Sequence, residues 1–352
     1  MLIRLSNLGA SFEAAADEPL LEAARRAALN LPHSCKGGNC GSCRARLLQG
    51  EIYYPNGPPL GLSEAEAAEG FVLMCEARAR SDILIETFEI TSPEQALIKR
   101  LPARIERALP LSHDVMGLYL RLPAAEAFQF EAGQYIDVML SGGRRRSFSI
   151  ASPPHDSRLL ELHVRRVAGG EFSAPLFDGG ARSALLNIEG PLGQFRYRPG
   201  TAPMLLVGGG TGLAPLLSIL RHVAENGIER DMTLYWGVRS EHDLYAHDLL
   251  EKLAERSGAP PARVARFRYV PVLSEPSPAW EGARGWVHEA VLANIGDLDR
   301  YDVYAAGPPA MIAAVRREFG RRGVEASRLF FDSFDYAPDA LERQRNSAAT
   351  KS

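Results

Sequence analysis

Apolar positions fall into three successive rhythms along the chain. Up to about residue 90, "MLIRLSN" reads as a strand and "EPLLEAARRAAL" as an amphipathic helix. A glycine- and cysteine-rich loop follows, then "RARLLQGEIYY", and "FVLMCEARARSDILIETFEI" reads as strand, turn, strand, which makes a small α+β unit. Residues 91–103, "TSPEQALIKRLPA", carry no clear period and read as a linker. Residues 104–199 hold short alternating runs such as "VMGLYLRL", "QYIDVML", "RSFSIAS" and "LELHVRRV", parted by Gly and Pro. That rhythm predicts an antiparallel β-barrel with one helical piece near "GGEFSAPLF". From residue 200 to 337 fully apolar strands alternate with helix-period segments, from "APMLLVGGG" and "LAPLLSILRHVAENG" to "YDVYAAGPP" and "AMIAAVRREFGRRG". Strand and helix in strict alternation predict a doubly wound α/β domain on a parallel sheet. Residues 338–352 are a C-terminal tail expected to fray from about Arg343.

Composition changes this picture little. The chain has 352 residues, 46% apolar and 24% charged, with formal net charge −3. Such a balance excludes a disordered chain and gives no nucleic-acid-binding surface. Residues 1–90 hold twelve acidic against eight basic residues, a mildly acidic first domain. The N-terminus carries acids early and lacks the apolar core of a signal peptide. The longest uncharged apolar run, Met204 to Leu220, contains four glycines and a proline. A membrane helix needs about 20 apolar residues, so no membrane insertion is expected, and the protein is expected in the cytoplasm.

Four cysteines change the picture more. Cys35, Cys40 and Cys43 have C-x4-C-x2-C spacing, and Cys75 follows at a distance. In a reducing compartment such clustering favours metal over disulfides. The spacing is that of a plant-type [2Fe–2S] loop, which needs four thiolates around a compact core. Gly37, Gly38 and Gly41 are expected to take φ > 0 and turn N–H groups toward sulfur. Structural zinc usually shows two close cysteine pairs and stands as the alternative.

"RRRSFSIAS" resembles the R-x-Y-S flavin motif of the ferredoxin–NADP reductase superfamily, with Arg146, Ser147, Phe148 and Ser149 in its places and Phe replacing Tyr. The resemblance implies that Arg146 pairs with a flavin phosphate, Phe148 offers an apolar face and Ser149 reaches the ring's reactive nitrogen. "LHVRRVAGGEFS" is similar to the second flavin segment. His163, Val164 and Arg165 then contact the cofactor, and Gly169, Gly170, Phe172 and Ser173 open a helix toward the diphosphate. "EGPLGQF" resembles the turn that closes the family's barrel.

"LLVGGGTGLAP" is a strand, a glycine loop and a helix; Gly208, Gly209, Gly210 and Gly212 permit close approach of a diphosphate. It matches the superfamily's G-G-G-T-G-x-A-P form, which places Thr211 near a nicotinamide. Where the family reads the adenosine ribose this chain has Arg239, Glu241 and Asp243. The two acids would repel a 2′-phosphate and favour NADH, with NADPH the alternative because Arg239 pulls the other way. "YAAGPPAM", with Ala306, Gly307, Pro308 and Met311, resembles the family's C-G-P-P-x-M strand end, with Ala306 where most members carry Cys. That departure implies slower hydride transfer. "LFFDSF" resembles the family's ending, where Asp332 hydrogen-bonds near the flavin and Phe334 shields its face.

Taken whole, residues 1 to about 337 resemble the iron–sulfur flavoreductases with an N-terminal β-grasp ferredoxin domain, which include oxygenase reductase components and CDP-6-deoxyglucoseen reductases. The resemblance implies FAD, with FMN the alternative. It also implies a path from NADH through flavin and cluster to a protein acceptor, an oxygenase or dehydrase component, by a chain expected to be a monomer. Two rivals stay open: a flavin or ferric reductase with broad acceptor range, and a redox sensor or zinc-stabilised binding module without turnover.

Overall fold

The structure is a computed structural model that describes residues 1–33, 36–38, 41–59, 61–88, 98–124, 128–178, 184–257 and 266–334. Much of the expected linker and the whole of the expected tail lie outside these residues. The chain divides into two compact units, Met1–Arg100 with Glu189–Gln194, and Leu101–Ile188 with Phe195–Ser352.

In the first unit a five-stranded mixed sheet runs in the order Ala10–Glu13, Leu2–Leu5, Ile83–Thr87, Arg44–Gln49, Phe71–Leu73. Leu2–Leu5 pairs parallel with Ile83–Thr87 and antiparallel with Ala10–Glu13, and Arg44–Gln49 pairs antiparallel with both Ile83–Thr87 and Phe71–Leu73. Alternation sends Ile3, Leu5, Ile83 and Ile85 inward, where they meet Leu20, Leu21, Ala23 and Ala24 of the helix Leu20–Arg26. This is the expected α+β ferredoxin-type unit. The helix is shorter than its apolar pattern suggests. Ala28 takes φ +61, the Leu29 N–H donates to the Ala24 carbonyl at 2.9 Å, and the Ala28 N–H donates to the Arg25 carbonyl at 2.9 Å. These two bonds form a Schellman closure with alanine where glycine is usual. Nothing in the composition of "ARRAAL" announces that stop.

The second unit holds two sheets. Six strands run in the order Arg145–Ser149, Tyr135–Met139, Leu185–Leu192, Lys99–Pro110, Val115–Arg121, Leu159–Arg165. An antiparallel bridge from Ile150 to Leu162 joins the last strand to the first and closes a barrel. Its core is Ile105, Leu118, Leu120, Ile136, Val138, Leu160, Leu162 and Val164. The other sheet runs in the order Ala283–Arg284, Phe267–Leu273, Met232–Val238, Met204–Gly209, Asp302–Gly307, Leu329–Ser333, with every neighbouring pair parallel. Met204 and Leu206 face the helix Leu213–Glu225, while Leu205 and Val207 face the helices Val287–Asn294 and Pro309–Arg321. A strand buried on both faces explains why "MLLV" is apolar throughout. Chain order reverses between Met204–Gly209 and Asp302–Gly307. The crevice outside the carboxyl ends of those two strands is where an open α/β sheet takes its ligand.

Candidate active site and cluster loop

In the first unit Cys43 and Cys75 are buried, with their sulfurs 3.1 Å apart. A disulfide would hold them at about 2.05 Å. Two thiolates on one tetrahedral metal stand roughly 3.8 Å apart; this pair is farther apart than a disulfide and closer than two such ligands, so the thiols converge without a bond between them. Cys43 leads into Arg44–Gln49, and its carbonyl accepts the Met74 N–H at 3.0 Å, so the two thiols come from hydrogen-bonded neighbouring segments. Cys35 and Cys40 lie outside the described residues. Around them Gly38 (φ +74) and Gly41 (φ +76) take left-handed conformations; the third such position is Lys36 (φ +58) and not Gly37. Gly38 is also needed for space, because a Cβ there would lie 2.9 Å from both Glu76 Cγ and Pro59 Cβ. Tyr54, unremarkable in the sequence, receives the Leu73 N–H on its hydroxyl at 3.0 Å. Burial pushes its phenol up to about 12, and the neighbouring Cys43 and Cys75 thiols add to that.

In the barrel the Arg145–Ser149 strand pairs with Tyr135–Met139, setting Ser147 opposite Asp137, to which it donates at 2.5 Å. Phe148 packs on Phe172 with ring centres 5.2 Å apart. Arg146 Nη1 donates to the Arg145 carbonyl at 2.8 Å. Ser149 is buried, and its hydroxyl reaches Asp332 Oδ2 at 3.5 Å, the outer limit of a hydrogen bond. In the second flavin segment strand parity separates three neighbours. Val164 points into the barrel core, so only its backbone is available to a cofactor, while His163 and Arg165 share the outer face with Glu161. Gly169 has φ +67, and the Ser173 hydroxyl accepts the Val167 N–H at 3.0 Å, which closes a tight turn before the five-residue helix Ser173–Phe177.

At the switch point the glycines fit by close approach. A Cβ on Gly209 would lie 2.6 Å from Met311 Sδ and 2.9 Å from Pro308 Cδ; one on Gly212 would lie 2.0 Å from the Ala306 carbonyl oxygen. The helix Leu213–Glu225 can start where it does only because Gly212 lets it press against the strand Asp302–Gly307. Gly210 has φ +55, and the Arg165 guanidinium stands 3.4 Å from where its Cβ would be. Thr211 is half-buried within that loop. Asp332 lies beside Ala306 in register and Phe334 donates its N–H to the Gly307 carbonyl at 2.9 Å. The structure thus gathers Ser149, Gly209, Gly210, Thr211, Gly212, Ala306, Gly307, Pro308, Met311, Asp332 and Phe334 around one crevice.

One polar chain escaped the sequence reading. Glu161 Oε2 accepts from Arg221 at 2.5 Å, Glu161 Oε1 meets His163 Nε2 at 3.1 Å, and His163 Nδ1 meets the Tyr245 hydroxyl at 3.0 Å. Burial alone would raise the Glu161 carboxyl, but the His163 hydrogen bond and the Arg221 charge overcome it and bring the group down to about 2. Burial pushes the Tyr245 phenol upward. A signal was present: in "ELHVR" the polar residues recur every second position, and on a strand buried on both faces the polar face must also be packed.

Three family descriptions cover the chain in order: a 2Fe-2S iron-sulfur cluster binding domain over residues 3–80, an oxidoreductase FAD-binding domain over 102–197 and an oxidoreductase NAD-binding domain over 206–317. Over 332 residues the chain is 35% identical to the CDP-6-deoxy-L-threo-D-glycero-4-hexulose-3-dehydrase reductase of Yersinia pestis, spanning 94% of this chain and 98% of that one. The chain belongs to the iron–sulfur flavoprotein reductases. The aromatic O-demethylase reductase subunit of an Amycolatopsis strain is 36% identical over 324 residues, 90% of this reductase and 94% of that protein. The crystal structure of an Amycolatopsis cytochrome P450 reductase superposes with a TM-score of 0.75 at 34% identity, covering 95% of this chain and 98% of that one.

The chemistry of these donors fits the groups: convergent thiols suit a cluster, and the Arg146 and Arg165 guanidiniums, the latter paired with Asp114 at 3.3 Å, carry the charge that a diphosphate needs. Its coenzyme end is less simple than the sequence implies. Asp243 accepts from the Ser240 N–H and hydroxyl, both at 3.0 Å, as a turn cap. Glu241 accepts from the Ser277 N–H at 3.0 Å and its hydroxyl at 2.5 Å, which holds the Glu241 carboxyl below the usual carboxylate range. Arg239 is exposed and makes no ion pair among the described residues. Among those residues no helix is long and apolar enough to cross a membrane.

Proposed function

We propose that this reductase takes electrons from NADH and passes them through FAD and a [2Fe–2S] cluster to a protein acceptor, an oxygenase or dehydrase component. The observation that carries this reading is the meeting of the barrel's Ser149 with Asp332, beside Ala306 and Gly212, at the switch point of the nucleotide sheet. A flavin motif and a dinucleotide loop reach one crevice there, as hydride transfer between two bound cofactors requires. A bound flavin accepts two electrons together and releases them singly, and a [2Fe–2S] cluster carries them one at a time.

The protein's own contributions are distinct. Gly209–Gly212 and Arg165 receive the dinucleotide's diphosphate. Ser149 holds a hydrogen bond near the flavin's reactive edge, and Asp332 orients that hydroxyl. Phe334, held by its N–H on the Gly307 carbonyl, would cover a bound flavin's face and give way to a nicotinamide. Arg146, Phe148 and the Gly169–Ser173 turn hold the flavin. Cys35, Cys40, Cys43 and Cys75 hold the cluster. Glu241 and Asp243 set negative charge where a 2′-phosphate would lie, which favours NADH. Relatives with dehydrase-reductase and oxygenase-reductase names support the acceptor class. We place the enzyme in the cytoplasm as a monomer.

Steady-state assays with NADH test the reading. Ferricyanide and cytochrome c should both be reduced, at rates at least tenfold higher with NADH than with NADPH. Cytochrome c reduction absent while free flavin is reduced would favour the broad-acceptor reductase, and no NADH oxidation with either acceptor would favour the sensor or binding module.

A further inference from the structure

Trp236 is fully buried on the strand Met232–Val238, in register with Gly208 of the neighbouring strand. A Cβ at Gly208 would lie 3.2 Å from Leu216 Cδ1 and 3.3 Å from indole Cδ1, so the missing side chain leaves room for both. The indole N–H donates to the Gly210 carbonyl at 2.8 Å, an oxygen that also receives the Leu213 N–H, so indole and turn hold it together. Gly210 is the left-handed residue of the dinucleotide loop. In a planar trans peptide the N–H points opposite the carbonyl, so a carbonyl held toward Trp236 turns the Thr211 N–H the other way, outward from the sheet. The Arg165 guanidinium, paired with Asp114 at 3.3 Å, lies 3.4 Å from where a Cβ on the same glycine would be, so a cation stands near the turned-out amide.

The indole is itself held. Tyr245 packs edge-on against Trp236, ring centres 5.0 Å apart at 78°, and edge-on against His163 at 5.2 Å and 89°. Its hydroxyl meets His163 Nδ1. His163 in turn meets Glu161, which is paired with Arg221 on the helix that begins at Gly212. The chain of contacts therefore leaves the nucleotide loop through Trp236 and returns to the loop's own helix through Arg221.

Resting on the functional reading above, we propose that Trp236 and Tyr245 are positioning residues for the dinucleotide. Trp236 sets the Gly210–Thr211 peptide so that its N–H faces the ligand, and Tyr245 keeps the indole against that carbonyl. Neither touches the nicotinamide. The interaction serves bound coenzyme before and during transfer alike, so its loss weakens binding without slowing the chemical step.

The test measures NAD⁺ binding by calorimetry, and KM and kcat for NADH with ferricyanide, in the holoenzyme and in Trp236→Phe and Tyr245→Phe. Trp236→Phe keeps the ring and loses the donor. Its Kd for NAD⁺ and KM for NADH should rise about 5–10-fold, the scale of one buried hydrogen bond, with kcat and flavin content within twofold of wild type. Tyr245→Phe should raise both about 2–4-fold, and the double variant should be no weaker than Trp236→Phe by more than twofold, because the two act in series. A Trp236→Phe enzyme binding NAD⁺ as wild type does would overturn the proposal. So would a fall in kcat with KM unmoved. If Trp236→Phe fails to fold, an unchanged Kd in Tyr245→Phe overturns it. A wild-type holoenzyme that neither binds NAD⁺ nor oxidises NADH would instead refute the functional reading itself.

Discussion

Gly212→Ala is a demanding test of the switch-point geometry. Gly212 has φ −59 and ψ −11, ordinary helical values, so alanine meets no backbone strain there. The obstacle is space. Its Cβ would lie 2.0 Å from the Ala306 oxygen, 2.5 Å from the Ala306 carbonyl carbon and 2.9 Å from Gly307 Cα. All three are backbone atoms of a central strand, so no side chain can swing aside. Relieving the contact to about 3 Å requires the loop and strand to part by roughly 1 Å. Overpacking of this kind costs about 1–3 kcal/mol. A 1 Å misplacement of reacting groups can cost about 100-fold in rate. We expect stopped-flow reduction of the holoenzyme by NADH to slow about 100-fold, with FAD and iron content unchanged and Tm lowered by a few degrees. Gly320→Ala is the control: nothing lies within 4 Å of its Cβ position, on the exposed side of the helix Pro309–Arg321, so it should leave the rate alone and stabilise by up to about 1 kcal/mol. A Gly212→Ala enzyme reduced within threefold of the wild-type rate would refute the close packing of loop on strand.

Cys75→Ser should abolish cytochrome c reduction and spare ferricyanide reduction at the flavin, read in parallel steady-state assays; equal retention of both would remove the cluster from the path. Glu161 has a folded pKa of about 2 against an ordinary 4.5, so its contribution, up to about 3 kcal/mol, is present above pH 4.5 and is lost as the pH falls toward 2. Glu161→Gln should lower Tm at neutral pH and shrink its fall across that acid window, as scanning calorimetry would show; an unchanged acid profile would contradict the assigned network. Arg239→Ala should raise KM for NADPH more than KM for NADH by at least threefold, because an unpaired cation gains most from a second phosphate. An equal change in both would take Arg239 out of coenzyme selection.

The architecture was readable because each unit carries its own period. Two-residue alternation through "QYIDVML" and "LELHVRRV" gives a barrel, and the unbroken apolar run of "MLLV" gives a central strand buried on both faces. Cysteine spacing points to a cluster loop, and two of those cysteines, Cys43 and Cys75, meet in the structure. What resisted reading depends on contacts far apart in sequence. No local rule says that a Cβ on Gly212 would meet the Ala306 carbonyl, or that one on Gly208 would crowd Leu216 and the Trp236 indole. Asp243 looks like a ribose ligand in a string, yet its carboxylate caps the turn that Ser240 begins. Strand parity, by contrast, would have sorted Val164 from His163 and Arg165 in advance, since three consecutive side chains of a strand cannot share a face. The stop at Ala28 has no compositional mark because an alanine fills a glycine's place.

The most direct measurement of the central claim is an anaerobic titration of purified enzyme with NADH, followed in the visible spectrum, with iron, sulfide and flavin assayed on the same sample. The account predicts two irons and two sulfides with one FAD per chain, and bleaching of both the flavin and the iron–sulfur bands as NADH is added. Protein that reconstitutes with one zinc and no sulfide, or whose bound flavin keeps its full absorbance under excess NADH, would contradict it.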